Sequence, residues 1–269
     1  MRGRGDEMNS EKLCVADLHL HTNLSHCAPN DTTINSYLVH CAEEGIKKIG
    51  ISNHLYSHKG VDHTLQIKDE IRALQTSSSV EILTGCEMEL YYDEEPMLQK
   101  ESASAFDYVL IAPSHIFNQI QHYKNFDLSS SDKIRQIMID NFKRACLLDL
   151  GVPTAICHPL YPIAAPNQQE ILDGITDKML EECYILAAEH NKSIEIHACL
   201  YRDTVELDKE GLSPSYIRML SIAKKCGCKF HFGSDAHSQE MFVNKHALLE
   251  RAAERAGICE DDLWHLARI

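Results

Sequence analysis

Seven short apolar runs rich in β-branched residues recur along this chain with helical spacing between them, and that alternation limits the fold more than any other feature. The runs lie at 14–18 (CVADL), 48–52 (KIGIS), 80–85 (VEILTG), 107–111 (DYVLI), 153–157 (PTAIC), 193–196 (SIEI) and 229–233 (KFHFG). Between two of them Ile134, Ile137, Met138, Phe142, Ala145 and Cys146 keep a helical period behind Ser131, a capping residue type. Ile171, Ile175, Met179, Cys183 and Leu186 mark another helix, and Ser213 with Pro214 opens a third that carries Ile217 and Leu220. Strands buried on both faces and separated by helices make a parallel sheet, either closed into a barrel or doubly wound. The joints after strands are long (53–64, 113–130, 158–168, 197–213), whereas the helix-to-strand joints are short. Elaborated loops at the carboxyl ends of the strands are what an active site on a barrel requires.

Length and composition fit one large core. At 269 residues, with 44% hydrophobic and 25% charged residues, the chain matches a single soluble barrel domain. Its formal charge of −14 is opposite in sign to the basic surface that grips nucleic acid, which favours a small substrate over a long polyanion. Eleven cysteines without framework spacing, and a polar start (MRGRGDEMNS) with no apolar run behind it, indicate a reduced, cytoplasmic protein. Cys226 and Cys228 are read as buried thiols. No apolar stretch reaches the roughly 18 residues of a membrane helix.

The strand ends carry the chemistry. His19 and His21 are two residues apart at the end of the first strand, so the strand period points both to one side. His26 follows five residues on. His54 comes after the second strand, Glu87 ends the third, His115 follows the fourth, His158 the fifth, and Asp235 and His237 the seventh. Nine imidazole and carboxylate donors converging on one cleft suit zinc, manganese or iron better than magnesium or calcium. They exceed the needs of one ion, and up to three divalent ions is the economical reading, two of them sharing a carboxylate. The set contains no cysteine, as expected of a catalytic and not a closed structural site.

These residues resemble the polymerase and histidinol phosphatase (PHP) superfamily, through DLHLHT, SNH, GCE, SH, CHP and GSDAH between residues 17 and 237. The resemblance implies a distorted (β/α)7 barrel of parallel strands with its metal site at their carboxyl end. Residues 13–269 would form that one domain behind a flexible segment at 1–12. Carried over residue by residue, it implies His19, His21, Glu87 and Asp235 around a first metal, Glu87, His115 and His158 around a second, and His26, His54 and His237 around a third. The family usually has aspartate where this chain has Asn53. An asparagine can still hydrogen-bond an imidazole, without the charge that raises ligand basicity. Asp17 would support a ligand in the same way.

The implied reaction is hydrolysis of a small phosphomonoester by a metal-bound hydroxide, with Asp235 or His237 moving the proton to the leaving alcohol. Arg202, in the loop after the sixth strand, is the candidate for gripping phosphate, with Lys59 and His58 as weaker ones. Glu195 and His197 face the cleft by strand period and are expected to support ligands or touch substrate. The other histidines should be structural or exposed. Competing expectations are a phosphodiesterase on nucleotides or oligonucleotide ends, an amidohydrolase-type barrel, and a non-catalytic metal-binding module.

Overall fold

The computed structural model describes residues 12–57, 60–92, 94–116, 118, 130–197, 205–243 and 245–269. The expected flexible segment at 1–12 lies outside these residues except for Lys12. So do Arg202, His58 and Lys59.

Eight strands run in sequence: β1 Ala16–Leu20, β2 Lys48–Ile51, β3 His54–Leu55, β4 Glu81–Glu89, β5 Tyr108–Ala112, β6 Thr154–Ile156, β7 Ser193–His197 and β8 Lys229–Gly233. Every pairing is parallel, in the order β1-β2-β4-β5-β6-β7-β8, with the two-residue β3 continuing beside β4. Helices fill the crossovers, so of the two parallel-sheet folds that the alternation allowed, the barrel that the resemblance implied is the one observed. Its seam lies between β1 and β8. There the strands meet through the bridge Leu20↔Ala236 and the bond from His21 N to Ala236 O, 3.0 Å. The Tyr37 hydroxyl, buried under the seam, lies 2.6 Å from His21 O and 2.9 Å from Ala236 O.

Three local expectations are corrected. The first strand runs two residues further than the apolar run suggested, and its register with β2 shifts between Asp17 and Leu20. The cap of the helix Ser131–Leu147 is Ser130, whose extended backbone lets its hydroxyl accept from Lys133 N. The helix expected through Ile171 and Leu186 is two, Gln168–Asp173 and Asp177–Glu189. Gly174 parts them, because the Arg135 guanidinium occupies the space a Cβ there would take, and Thr176 starts the second by accepting from Met179 N.

Two clusters make the core. The larger packs the outer faces of the strands against the helices. The smaller lines the barrel itself: Leu18, Tyr108, Leu110, Ala112, Ala155 and Cys157, closed below by Trp264 and Ala267. Tyr108 reaches across β4 and β2 to donate its hydroxyl to Leu18 O, 2.5 Å away. Only glycines at 50 and 85 allow this, since a Cβ at either would sit 2.0 to 2.4 Å from the Tyr108 side chain. On the β7 and β8 side the lining is polar: Ser193, Glu195 and His231, all fully buried.

Candidate metal centre

The shift in β1 decides which side chains enter the cleft. His19 and His21 both turn inward, as their spacing implied. Asp17 turns the other way, toward the helix His246–Ala256, where its Oδ2 accepts from His246 Nε2 at 2.9 Å. Its Oδ1 accepts from the backbone of His19 (3.2 Å) and Ser234 (3.0 Å). Asp17 does bind an imidazole, but that of His246, which is no ligand candidate.

Glu87, at the end of β4, sits between two sets of donors. Its Oε2 lies 2.6 Å from His54 Nδ1 and 3.4 Å from both His19 Nε2 and His21 Nε2. Its Oε1 lies 2.8 Å from His158 Nε2 and 3.5 Å from His115 Nε2. Asp235 Oδ1 faces His21 Nε2 at 3.1 Å and His19 Nε2 at 3.5 Å. The ligand atoms therefore gather into His19, His21, Glu87 and Asp235, into Glu87, His115 and His158, and into His21, His54 and His237. The first two groups are those the resemblance implied. In the third His21 takes the place expected for His26, which stands exposed on the turn after β1. Cys157, absent from the expected set, joins His19 and His158 in a further compact group, its thiol 3.6 Å from Glu87 Oε1. Burial, and then the Glu87 charge, push its pKa well up, so it stays a thiol.

Fixed acceptors behind the rings orient them. His19 Nδ1 meets Glu195 Oε1 at 2.6 Å, His21 Nδ1 meets Ser25 Oγ at 3.2 Å, His115 Nδ1 meets Glu89 Oε2 at 2.8 Å, and His237 Nδ1 meets the Asp235 carbonyl at 3.0 Å. With Nδ1 donating in each, Nε2 is the nitrogen turned to the cleft, and it is the one that would give its lone pair to a cation in exchange for any proton it carries. Glu195 Oε2 also accepts from His158 N at 2.6 Å, so one buried carboxylate holds two of the converging residues. His158 and Asp235 have positive φ values of 30° and 50°, a backbone cost met where surrounding contacts fix a functional residue. His197, expected near substrate, has its ring 4.7 Å from Tyr216 and 5.7 Å from Tyr161, and burial followed by the His158 charge holds it neutral.

Sequence reasoning missed Glu89 altogether, although the strand period from Glu87 pointed to it. It could not find His246, which comes from a helix more than 200 positions away from Asp17. Asn53 was expected beside an imidazole. Instead its Oδ1 accepts from Thr22 N (2.8 Å) and Ser25 Oγ (2.9 Å), and its Nδ2 donates to Thr22 Oγ1 (3.0 Å). Asn53 thereby fastens the turn after β1 to the end of β2.

The donors fit divalent cations. His19 Nε2, His21 Nε2 and Glu87 Oε2 are buried and lack hydrogen-bond partners, a costly state unless a cation satisfies them. Nitrogen and oxygen donors of this kind suit zinc, manganese or iron. Burial opposes charge on the His54 and His115 rings, but Glu87 beside the first and Glu89 beside the second outweigh it and push both pKa values up to about 9. Burial also works against the charges of Glu87 and Asp235. For Glu87 the His54 and His19 rings, and for Asp235 first His19, reverse this and hold both carboxylates well below their usual values.

The family model described as the PHP domain matches residues 17–199. No curated protein matches the chain. Among solved structures, a candidate histidinol phosphatase, hisK, from Listeria monocytogenes is 12% identical with a TM-score of 0.61, over 84% of this chain and 96% of its own. An archaeal ribonuclease P complex with mature tRNA aligns at 12% identity and a TM-score of 0.44, over 90% of this chain and 88% of that one. N-isopropylammelide isopropylaminohydrolase from Burkholderia multivorans aligns at 13% and 0.40, over 86% of this chain and 58% of its own. Among the described residues no helix is long and apolar enough to cross a membrane.

Proposed function

The chain belongs to the PHP domain family, and on that premise we propose that it is a metal-dependent phosphoesterase acting on small phosphomonoesters. The observation that carries this reading is the Glu87 carboxylate, whose two oxygens face separate donor groups and so suit two cations side by side. Bound zinc, manganese or iron, up to three ions, would supply the positive charge that draws phosphate into an acidic protein and activates water at neutral pH.

The protein's own groups do the rest. His19, His21, His54, His115, His158, His237, Glu87 and Asp235 hold the ions, and Glu195 and Glu89 keep two of those rings turned toward them. Asp235 and His237 stand at the open side, with side chains 10% and 19% exposed. Asp235, kept ionised, accepts a proton there, and with His237 it is the pair assigned to passing one to the leaving alcohol. Arg202, outside the described residues, is assigned to the phosphate oxygens because its guanidinium matches them in pairs. The acidic net charge favours a small ester over a nucleic acid, and ten free cysteines among the described residues accord with a reducing cytoplasm. L-histidinol phosphate is the first substrate to test.

The deciding experiment measures phosphate release from a panel of monoesters, with elemental analysis of bound metal, for wild type and His19→Ala. Metal-dependent release that the substitution abolishes is the expected result. Bound metal without release from any monoester would overturn this reading in favour of diesters, amides or a non-catalytic role.

A further inference from the structure

The amino end of the barrel, opposite the metal centre, holds an open cavity of about 870 Å3. Its wall forms where β6, β7 and β8 begin, from Thr154, Lys192 and Lys229, together with Trp264 and Arg268, and Leu150 and Leu263 add apolar surface. Three cations line it in a chain of formal charge −14. Lys192, 5% exposed, donates to the Leu148 carbonyl and the Thr154 hydroxyl at 2.5 Å each, and so answers the carboxyl end of the helix Ser131–Leu147. Lys229 and Arg268 answer no helix end. Lys229 Nζ and Arg268 Nη2 both donate to one neutral acceptor, the Asp261 carbonyl, at 2.8 Å each, which sets two like charges side by side. Arg268 Nε donates to Leu263 O at 3.0 Å, so Nη1 and the other Lys229 N–H groups have no acceptor among the described residues. Two carboxylates share the wall. Asp149 is held by Lys100, and neither it nor Glu189 forms an ion pair with the three cations. Two cations held this close repel each other until an anion joins them.

We infer that this cavity binds a small organic phosphate, its anionic head on Lys229 and Arg268 and its body along Trp264 and the apolar lining. A phosphate carries close to two charges and three acceptor oxygens, enough to answer both cations, whereas a carboxylate answers one. The volume suits a ligand with a body and far exceeds that of a bare oxyanion. Chemistry in such barrels belongs to the carboxyl end of the strands, so the ligand is held here and not turned over. The site is independent of what the metal centre does.

Trp264 is the chain's single tryptophan and lines the cavity, so its emission reports on occupancy. The test titrates the full chain with phenylphosphonate, which has no ester to hydrolyse, with inorganic phosphate and with phenol, for wild type, His19→Ala and the double variant Lys229→Gln with Arg268→Gln. The expected result is a saturable change in emission with phenylphosphonate, equal in wild type and His19→Ala, and weaker by about 10- to 100-fold in the double variant. Inorganic phosphate should bind more weakly, and phenol not at all. Both replaced side chains are exposed, so circular dichroism of the double variant should match wild type. If it does not, the single variants are titrated instead, each with a smaller loss expected. No saturable change, or equal affinity in the variants, would overturn the inference. Loss of the response in His19→Ala would move the anion to the metal centre, equal affinity for inorganic phosphate would replace the organic ligand with a free oxyanion, and phenol binding as tightly would leave only an apolar crevice.

Discussion

Glu195 holds His19 from behind, Oε1 to Nδ1 at 2.6 Å, with both side chains fully buried. The contact fixes which nitrogen of His19 faces the cleft, and the other carboxylate oxygen fixes the backbone of His158. Glu195→Gln keeps the volume and removes the charge that strengthens the imidazole as a ligand. Metal affinity should fall about 10- to 100-fold, as measured by competition with a chromogenic chelator. An unchanged affinity would mean that packing alone orients the ring.

Glu87→Gln tests the shared carboxylate. Because Glu87 serves two donor groups, the substitution should lower bound metal by two ions per chain and phosphate release by more than about 100-fold. Loss of a single ion would show that the two groups are filled independently.

Asp17 is a fastener on the far side of β1 from the cleft. Asp17→Ala leaves His246 and the amides of His19 and Ser234 without their acceptor in a fully buried place. The expected loss is about 3 to 5 kcal/mol in urea unfolding, with a smaller loss for Asp17→Asn. A cost below about 1 kcal/mol would show that Tyr37 and the strand bridge suffice to hold the seam.

His231 sets a pH dependence. Burial, and next the His19 charge, lower its pKa from an ordinary 6.5 to about 3. Between those values the unfolded chain takes a proton that the folded one refuses, so stability rises with pH. This contribution is complete above pH 6.5 and lost as pH falls toward 3, a difference on the order of 5 kcal/mol. Urea unfolding from pH 3 to 7 should therefore show a shallower slope in His231→Gln than in wild type. Equal slopes would refute the assignment.

Gly85→Ala should cost about 1 to 3 kcal/mol, because the added methyl meets the Tyr108 ring inside the barrel. In a Tyr108→Leu background the same change should cost much less. That coupling, read by a double-mutant cycle, distinguishes a clash with Tyr108 from a general intolerance of alanine in the strand.

How much of this was legible in the sequence depended on range. The strands were visible because runs such as DYVLI and KFHFG are apolar on both faces, and seven of the nine expected ligands fall at or just beyond the ends of described strands for the same reason. The irregularity in β1 was not visible. A register shift leaves no mark in an alternating DLHLH, yet it sends Asp17 away from the cleft. The exposed position of His26 was equally hidden, since the turn that carries it is held by Asn53, about thirty positions along, tying down Thr22 and Ser25. Glu89 could have been found by carrying the strand period one step beyond Glu87.

The seam also bears on how the molecule forms. Asp17 and Ser234 are 217 positions apart, so joining β1 to β8 closes a very long loop unless the chain between is already ordered, and contacts of that separation form slowly. Until then the sheet is open, with two strand edges offering unpaired amides and carbonyls to any passing chain. His19 and His21 stand on one edge, and Asp235 and His237 follow the other. An ion captured by both edges would therefore shorten the interval in which copies of this protein can stick to one another. Refolding with and without a chelator should differ more in the yield of soluble protein than in the structure of the molecules that survive.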